Sequence, residues 1–354
     1  MTRAVIAGSG SNIPPVRITN DMLATIMETS DEWIRERSGV EVRQWVERGT
    51  STLALSIPAA RQAIESAGLT TADIDMVVYA TMTPDYYMPG NGCLLQSALG
   101  LRSVPCFDIR QQCSGFVYGL QLADAHVRSG LARNVLLVGA EVHSAFMPFR
   151  EGSWARLAGA IDAPIPQDEW DFNTQTRHLS VLFGDGAAAV VVQAFDGEGR
   201  GVIDHLIGAD GTDFTRLYIP GPGTRNRPYI DAALLQRNEQ WPQMDGRYVF
   251  KMATTKMAEA TQQILARNGV RPDDLSLVLM HQANRRINEY VQKLLGLPES
   301  KVIHNIQKYG NTTAATIPLL WDEAARAGRI RPGDLVLTVA FGAGMSWGAN
   351  LLRA

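Results

Sequence analysis

Hydrophobic positions along the chain follow two different periods, and the changes of period divide the sequence into predicted strands and helices. Residues 74–81 and 134–142 are almost continuously apolar, which is typical of buried strands. Residues 51–67 and 114–130 instead repeat apolar side chains at helical spacing. Because strands and helices follow one another through most of the chain, the pattern predicts an α/β protein.

The stretch from Val104 to Gly119 contains the most informative change of period. Its first part is predicted as a short buried strand and its second part as a helix, with Cys113 at the turn between them. Free backbone N–H groups and the positive end of the helix dipole would lie next to the sulfur there, and both favour a thiolate. A cysteine in an apolar protein is more commonly a small core residue. Cys113 is therefore a candidate nucleophile that needs support from other residues.

The order of elements in the second part of the chain repeats the order in the first part. Cys113 and Asn311 are 198 residues apart, and the predicted helix ends at Gly130 and Gly328 are separated by the same interval. We therefore predict two related halves, residues 1–198 and 199–354. Equivalent strand ends of such halves lie close together, so Cys113 and Asn311 should converge. His281 ends a strand of the second half and can join them, although a lone His or Asn is more commonly structural.

Residues 146–176 interrupt this regular pattern. They contain three prolines and two tryptophans and show no sustained period. A structureless loop of this length inside a compact domain is usually functional or is ordered by a partner. We interpret the segment as an insertion in the first half.

Composition narrows the possible partners and compartment. The chain has 354 residues, a net charge of −3 and a pI near 6.1, which gives no sign of a nucleic-acid binder. Its three cysteines do not make a disulfide framework, and no Cys or His spacing suggests a metal site. We find no signal peptide and no apolar run long enough for a membrane helix. These features predict a soluble cytoplasmic protein without a metal.

Six sequence blocks together resemble one family. DIRQQCSGFVYGL around Cys113, MHQANRRI around His281 and YGNTTAATIPL around Asn311 are similar to the three catalytic blocks of the 3-oxoacyl-[acyl-carrier-protein] synthase III family, in the thiolase superfamily. TSDEWIRERSG, FGDGAAA and FGAGMSWG are similar to further blocks of that family, in the same order. The resemblance covers nearly the whole chain except residues 146–176. It implies a thiolase-like fold, with duplicated βαβαβ halves that form a layered α-β-α-β-α sandwich.

The resemblance also implies roles for the three residues. Cys113 would attack an acyl thioester and hold the acyl group, while the backbone N–H groups of Cys113 and Ala343 form an oxyanion hole. His281 and Asn311 would donate hydrogen bonds to a malonyl-type or β-ketoacyl-type thioester as its carboxylate leaves, and the carbanion would attack the acyl group on Cys113. The family has a Gly-Gly-Gly run where this chain has Ala343, so the turn has less conformational freedom here.

The combination of Cys, His and Asn separates this activity from others of the same fold. Thiolases that do not decarboxylate use a second Cys, and hydroxymethylglutaryl synthases use a Glu; neither residue occurs in these blocks. The resemblance implies a condensing enzyme of fatty-acid initiation or of specialised-metabolite and polyketide biosynthesis. An alternative is an acyltransferase that moves the acyl group to a hydroxyl or amine, which would release no CO₂. A subunit without activity is disfavoured because the nucleophile is present.

Further positions match substrate-binding residues of the family. Trp33 and Arg177 match the pair that sandwiches the adenine of coenzyme A by stacking and cation–π contact, and Arg37 lies nearby in the coenzyme A site. Four basic residues would receive an acyl carrier protein: Lys251, Arg285, Arg286 and Lys293. The alternatives are a core tryptophan for Trp33 and ordinary solvated charge for the basic residues. No cofactor is implied, since acyl-coenzyme A or acyl-carrier-protein thioesters are the substrates.

The loop at residues 84–92 is rich in Tyr and Met, and the family inserts this loop into the acyl tunnel of a neighbouring subunit, which implies a homodimer. Met88 stands where the family often has Phe as the wall of the acyl pocket. Because a Met side chain is flexible, we expect acyl chains longer than acetyl, and a shorter range for Met88→Phe. The aromatic residues of 146–176 would cover the site entrance or extend the dimer contact.

Overall fold

A computed structural model of the chain describes residues 2–354. Thirteen strands are present in this part of the chain: β1 (Arg3–Asn12), β2 (Val16–Thr19), β3 (Val42–Trp45), β4 (Met76–Ala80), β5 (Cys106–Ile109), β6 (Asn134–Glu141), β7 (Gly186–Phe195), β8 (Gly201–Ala209), β9 (Leu217–Tyr218), β10 (Gln243–Met244), β11 (Leu277–Met280), β12 (Leu335–Gly342) and β13 (Ser346–Arg353). The described α-helices are α1 (Asn20–Ala24), α2 (Asp31–Ser38), α3 (Thr52–Ser66), α4 (Asn91–Leu99), α5 (Gly115–Arg128), α6 (Glu151–Leu157), α7 (Gln167–Ser180), α8 (Ala232–Gln236), α9 (Gly246–Arg267), α10 (Arg285–Leu294), α11 (Ile306–Tyr309) and α12 (Thr316–Arg326).

Two large sheets have the same strand order. The first runs β1-β7-β6-β4-β5, with β4 parallel to β5 and β6, and β7 antiparallel to β1 and β6. The second runs β8-β13-β12-β11, and an isolated parallel bridge from Val278 to Val302 stands where the first sheet has β5. The boundary between residues 198 and 199 stays a prediction, and it falls in the turn between β7 and β8.

The sheets and helices form five layers. Along β6, Val135 and Leu137 face a central core that includes α5 and α12, whereas Leu136 and Val138 face an outer core that includes α3 and α4. The second sheet shares the central core on one side and packs against α9 and α10 on the other. Alternate side chains of a strand point to opposite faces, so a sheet covered on both sides must be apolar throughout. The predicted α-β-α-β-α sandwich is confirmed.

The segment 146–176 differs from the prediction because it contains regular helices. It includes α6 and most of α7, and residue 176 falls inside α7. Its aromatic residues pack against the two-stranded sheet of β2 and β3, with Trp45 lying 6.0 Å from Phe149 and 5.6 Å from Trp154 between ring centroids. Few apolar residues occur along α7, so no helical stripe is visible in its sequence. Its order comes from contacts with distant parts of the chain.

The strand before Cys113 also differs from the prediction, which placed it in the buried interior. β5 is the edge strand of the first sheet, and Phe107 is 39% exposed. Its outer backbone edge has no neighbouring strand within residues 2–354. An unpaired edge with an exposed aromatic side chain is a possible contact surface for another chain.

The two strand-to-helix turns of the duplicated halves meet at small residues. A Cβ atom on Gly139 of β6 would lie 2.3 Å from the carbonyl oxygen of Ala314. A Cβ atom on Gly115 would lie 3.2 Å from the Cβ atom of Ala314. The turn Gln112–Ser114 and the turn Thr313–Ala315 are therefore in direct contact, with no room for a larger side chain between them.

Gly139→Ala should destabilise the protein. The added methyl group would meet a backbone carbonyl, which cannot rotate away, and such overpacking costs about 1–3 kcal/mol. The measurement is the free energy of unfolding in denaturant. The matched control is Gly223→Ala, because a Cβ atom there has nothing within 4 Å. Equal stability of the two variants would contradict the proposed close contact of the turns.

Candidate active site

Cys113 lies in the 3₁₀ turn Gln112–Ser114 between β5 and α5. Residues of the second half of the chain contact this turn and keep it in place. The hydroxyl groups of Ser114 and Ser346 are hydrogen-bonded at 2.7 Å, and a Cβ atom on Gly342 would lie 3.0 Å from the backbone nitrogen of Cys113. Ala343 directly follows Gly342, so the second predicted oxyanion-hole residue belongs to the turn that packs on Cys113.

Asn311 is held in a defined orientation between the two halves. It forms an isolated parallel bridge with Phe183, and its backbone N–H donates to the carbonyl of Leu182 at 2.9 Å. The side-chain Oδ1 accepts a hydrogen bond from the backbone N–H of Thr313 at 2.9 Å. Because Oδ1 is occupied, Nδ2 is the atom of Asn311 left to donate to a ligand.

His281 continues from the end of β11. Its backbone N–H donates to the carbonyl of Val339 at 2.9 Å, and three residues later β12 reaches Gly342 beside Cys113. The imidazole is buried, yet neither ring nitrogen has a hydrogen-bond partner among residues 2–354. Buried polar atoms in native proteins are rarely left unpaired, so the two unpaired ring nitrogens indicate a ligand-binding position. The structure thus brings Cys113, Asn311 and His281 to the same end of the two sheets.

The predicted adenine-binding residues also lie together. The guanidinium carbons of Arg37 and Arg177 lie 4.3 Å and 4.5 Å from the centroid of the Trp33 ring. Trp33 and Arg37 are on α2, and Arg177 is on α7, where it donates to the backbone carbonyl of Glu28. The helical part of the 146–176 segment therefore positions Arg177 next to Trp33.

The predicted carrier-protein residues lie on two helices that pack together, α9 and α10. Lys251, Arg286 and Lys293 are exposed and form no ion pair with another residue of 2–354. Arg285 differs, because it pairs with Glu289 at 2.8 Å and its aliphatic part lies against Gly39. Its charge is therefore partly neutralised within the chain.

Met88 lies far out on the 84–92 loop. It is 82% exposed, and the neighbouring Tyr87 is 71% exposed. Within one chain Met88 therefore has little apolar contact, and its predicted role as a pocket wall would require a second subunit.

The sequence is similar to a known family over nearly its full length. A model described as 3-oxoacyl-[acyl-carrier-protein (ACP)] synthase III matches residues 107–160 and 169–211, and a model of the C-terminal part of that family matches residues 265–354. The β-ketoacyl-[acyl-carrier-protein] synthase III of Caldanaerobacter subterraneus subsp. tengcongensis is 39% identical over 350 residues, which are 99% of this chain and 97% of the relative. The chain belongs to the 3-oxoacyl-[acyl-carrier-protein] synthase III family. It is therefore an acyltransferase of the ketosynthase III type, which forms a carbon–carbon bond by decarboxylative condensation.

Solved structures agree with this assignment. The 3-oxoacyl-[acyl-carrier-protein] synthase III of Aquifex aeolicus superposes with a TM-score of 0.82 at 36% identity, over 99% of this chain and 100% of that one. The priming β-ketosynthase of the R1128 polyketide pathway superposes with a TM-score of 0.83 at 30% identity, over 99% of this chain and 96% of that one. The family model leaves out only residues 161–168 of the predicted insertion and matches the rest of it, residues 146–160 and 169–176.

Residues 2–354 contain no helix that is both long and apolar enough to cross a membrane.

Burial changes the expected ionisation of the synthase residues. Cys113 keeps some exposure, but desolvation of its sulfur and the nearby charge of Glu141 raise its pKa to about 12. These effects oppose the thiolate that the helix N-terminus was expected to favour. Burial, together with the neighbouring His143, lowers the pKa of His281 to about 3, so this imidazole is neutral at physiological pH.

Glu141 is a site residue that the sequence analysis missed. It is fully buried at the end of β6, where its carboxylate accepts hydrogen bonds from the hydroxyl groups of Thr81 and Thr83 at 3.1 Å and 2.9 Å and from the backbone N–H of Met82 at 3.1 Å. Burial raises its pKa to about 8. Glu141 thus fixes the turn after β4. The one feature of the sequence that could have indicated Glu141 is its charge near the end of the apolar run NVLLVGAEV.

Thr313 and His143 are two more missed residues. The Thr313 hydroxyl and His143 Nε2 are 2.8 Å apart, and His143 Nδ1 lies 2.8 Å from the carbonyl oxygen of Gly184. The His143 ring also stacks on Phe183 at 4.8 Å. Thr313 belongs to the YGNTTAATIPL block, whereas nothing in the sequence around His143 indicates its position.

The alkylation rate of Cys113 in the unliganded enzyme should rise steeply with pH. Below its pKa the thiolate fraction of a thiol increases about tenfold per pH unit, and the raised pKa of Cys113 places the whole range from pH 7 to pH 10 below the midpoint. The measurement is the rate of iodoacetamide labelling of the Cys113 peptide by mass spectrometry. Exposed Cys93 on α4 reports that the reagent is active. A labelling rate that levels off by pH 8 would show that the helix N-terminus lowers the pKa of Cys113 more than burial raises it.

Proposed function

We propose that Cys113 takes an acyl group from a thioester and that His281 and Asn311 direct the decarboxylation of a malonyl-type thioester, whose carbanion then attacks that acyl group. The observation that supports this assignment is a pair of unused hydrogen-bond donors beside the nucleophile. These are the ring of His281 and Nδ2 of Asn311. Both groups are neutral donors, which suits an oxyanion that forms only during the reaction.

Acylation begins with attack of the Cys113 sulfur on the thioester carbonyl carbon. The negative charge that develops on the carbonyl oxygen would be bound by the backbone N–H groups of Cys113 and Ala343. The packing of Gly342 on the Cys113 nitrogen supports this role, because it brings the two backbone segments together. The leaving thiol departs and a thioester remains on Cys113.

Decarboxylation follows at the same place. Loss of CO₂ leaves an enolate, and its oxygen would accept hydrogen bonds from His281 and Asn311. Because the pKa of His281 is lowered to about 3, the ring donates as neutral imidazole and does not simply protonate the carbanion. The carbanion attacks the acyl carbon, the Cys113 thiolate leaves, and a β-ketoacyl thioester is released. The proposed chemistry uses no cofactor besides the thioester substrates.

The proposed substrates are an acyl-coenzyme A and a thioester of acyl carrier protein. For the first, Trp33 with its two arginines offers a flat aromatic face and positive charge to a nucleotide. For the second, exposed Lys251, Arg286 and Lys293 offer unpaired charge to an acidic protein. Both groups lie near one another, because α10 contacts α2.

We also propose that the enzyme is a homodimer. The exposed apolar residues of the 84–92 loop, together with Phe107 on edge strand β5, form a surface too apolar for solvent alone. A second copy would cover this surface and pair with the free edge of β5. In that arrangement Met88 would reach the partner's acyl pocket, where its flexible side chain would admit acyl chains longer than acetyl.

His281→Ala and Asn311→Ala should each leave acylation of Cys113 largely intact and lower malonyl decarboxylation by about 10²-fold or more, since each removes one oxyanion donor. Mass spectrometry measures acyl-Cys113, and release of labelled CO₂ measures decarboxylation. Cys113→Ala is the reference variant, which should form no acyl-enzyme. If either substitution blocked acylation and spared decarboxylation, the proposed roles would be wrong.

Phe107→Asp should convert the dimer into monomers at micromolar concentration, because it buries a charge at the proposed interface. Light scattering coupled to size exclusion gives the mass. Leu131→Asp is the matched control, since Leu131 is 74% exposed and lies outside the 84–92 loop and β5. A monomeric parent protein, or a Phe107→Asp variant that stays dimeric, would rule out this interface.

A further inference from the structure

Arg43 of β3 is a buried cation whose hydrogen-bond partners are all neutral. Its guanidinium donates to Asn20 Oδ1 at 2.6 Å and to the backbone carbonyls of Val181 and Ile18 at 2.9 Å and 3.3 Å. Nε has no hydrogen-bond partner among residues 2–354. A buried charge held only by neutral groups is costly, and an apolar side chain would avoid that cost. We therefore expect the guanidinium to serve something other than stability.

Two side chains of β3 hold the segment 181–184. Arg43 donates to the carbonyl of Val181, and Trp45 Nε1 donates to the carbonyl of Phe183 at 3.1 Å. Arg43 and Trp45 are two residues apart on one strand, so their side chains point to the same face. The position of the segment relative to β3 is therefore set by two hydrogen bonds to its backbone.

The same segment pairs on its other side with Asn311. The carbonyl of Leu182 accepts from the backbone N–H of Asn311 at 2.9 Å, and the N–H of Gly184 donates to the carbonyl of Asn311 at 3.1 Å. A Cβ atom on Gly184 would overlap with the carbonyl oxygen of Tyr309 and would lie 3.3 Å from the Cβ atom of Arg43. The packing is therefore close on both sides of the segment. A displacement of the segment would move the backbone of Asn311 and change the direction of its side chain.

We propose that Arg43 is a positioning residue for Asn311, an inference that rests on the proposed role of Asn311 in decarboxylation. The hydrogen bonds of Arg43 do not reach Asn311 itself, so Arg43 acts through the segment 181–184. Nδ2 of Asn311 has to meet an oxyanion that forms during the reaction, and a misplacement of about 1 Å can slow such a step by about 10²-fold. Acylation instead uses the backbone N–H groups of Cys113 and Ala343, so it does not need this alignment.

The decisive comparison is between Arg43→Met and Arg43→Lys, since both introduce unbranched side chains of similar length. Methionine has no donor, so decarboxylation should fall by about 10-fold to 10²-fold. Lysine keeps the charge and can still donate, so decarboxylation should fall less. Acylation of Cys113 should stay within a few-fold of the parent in both variants. Rapid quench and mass spectrometry measure acyl-Cys113 formed from acetyl-, hexanoyl- and decanoyl-coenzyme A, and labelled CO₂ measures decarboxylation of malonyl-coenzyme A.

The use of coenzyme A thioesters in both assays makes the ratio of the two rates informative. Arg43 contacts Val181, which caps the C-terminal end of α7, and α7 carries Arg177 of the proposed nucleotide site. A change in nucleotide binding would therefore lower both rates together. A change in the orientation of Asn311 would lower decarboxylation alone.

Asp322→Asn is the matched control. Asp322 is also a buried charged residue with three hydrogen bonds, which it accepts from the hydroxyl groups of Ser9 and Ser11 at 2.8 Å and 2.6 Å and from Arg326 Nε at 2.9 Å. It lies in the C-terminal half of α12, whereas Asn311 precedes the first residue of that helix. The control variant should lower the free energy of unfolding and leave the ratio of decarboxylation to acylation unchanged.

Two further variants test the route through the segment. The double variant Arg43→Met, Asn311→Ala should decarboxylate no more slowly than Asn311→Ala, because Arg43 acts only through Asn311. Trp45→Phe covers the case in which Arg43→Met does not fold. It removes the N–H group that donates to Phe183 and should lower decarboxylation several-fold relative to acylation.

Four results would overturn the positioning role. They are a parent ratio of decarboxylation to acylation in Arg43→Met, or in Trp45→Phe if Arg43→Met does not fold; an equal loss of both rates; equal decarboxylation by Arg43→Met and Arg43→Lys; and a further loss in the double variant. Unchanged decarboxylation in Asn311→Ala alone would instead count against the proposed function.

Discussion

The direct contact between the two strand-to-helix turns is the constraint on which the site depends. Gly139 and Gly115 leave space for the backbone and methyl group of Ala314, and Gly342 packs on the backbone nitrogen of Cys113. The turns belong to different halves of the chain, so Cys113 and the amide of Asn311 meet only when both halves are folded together. The site is thus assembled by the packing of two whole sheets and their central helices, which hold the turns rigidly.

At this buried junction, most hydrogen-bonding atoms of the polar side chains are already paired, which limits the atoms that can bind a substrate. Glu141 has its carboxylate occupied by the turn after β4, and Asn311 has its Oδ1 occupied by Thr313. His281 keeps both ring nitrogens free, and desolvation, with the nearby His143, holds its pKa near 3, so the ring is neutral. Unpaired polar atoms in a dry site are costly in the free enzyme. A substrate oxygen that accepts hydrogen bonds from these atoms would remove this free-energy cost. The hydrogen bonds would strengthen as negative charge develops on that oxygen.

The sequence was sufficient for the parts of the structure that repeat. Cys113 and Asn311 occupy equivalent turns at a constant interval, and His281 ends an apolar strand, so their convergence could be predicted. Glu141 and His143 could not be found in this way. Glu141 is the last residue of β6, and His143 comes two residues later. The equivalent strand of the second half, β12, ends at Gly342, so comparing the two halves does not indicate either residue.

Other features depended on contacts between distant segments. α7 has few apolar residues, and its helical structure is stabilised by packing beside the two-stranded sheet of β2 and β3 and by the hydrogen bond from the Asn173 side chain to the carbonyl of Ile26. β5 was expected to be buried because of its apolar residues, but its place at a sheet edge follows from the strand order. The raised pKa of Cys113 results from burial and from Glu141, which is remote in sequence.

Decarboxylative condensation on Cys113 is tested by the ratio of CO₂ released to carbon–carbon bonds formed in a single turnover. Enzyme first acylated on Cys113 by acyl-coenzyme A is mixed with malonyl-acyl-carrier-protein labelled in its free carboxylate. Decarboxylative condensation on Cys113 predicts one labelled CO₂ for each β-ketoacyl thioester formed, and loss of the β-ketoacyl thioester in Cys113→Ala. Transfer of the acyl group from Cys113 to a hydroxyl or amine without release of labelled CO₂ would contradict it.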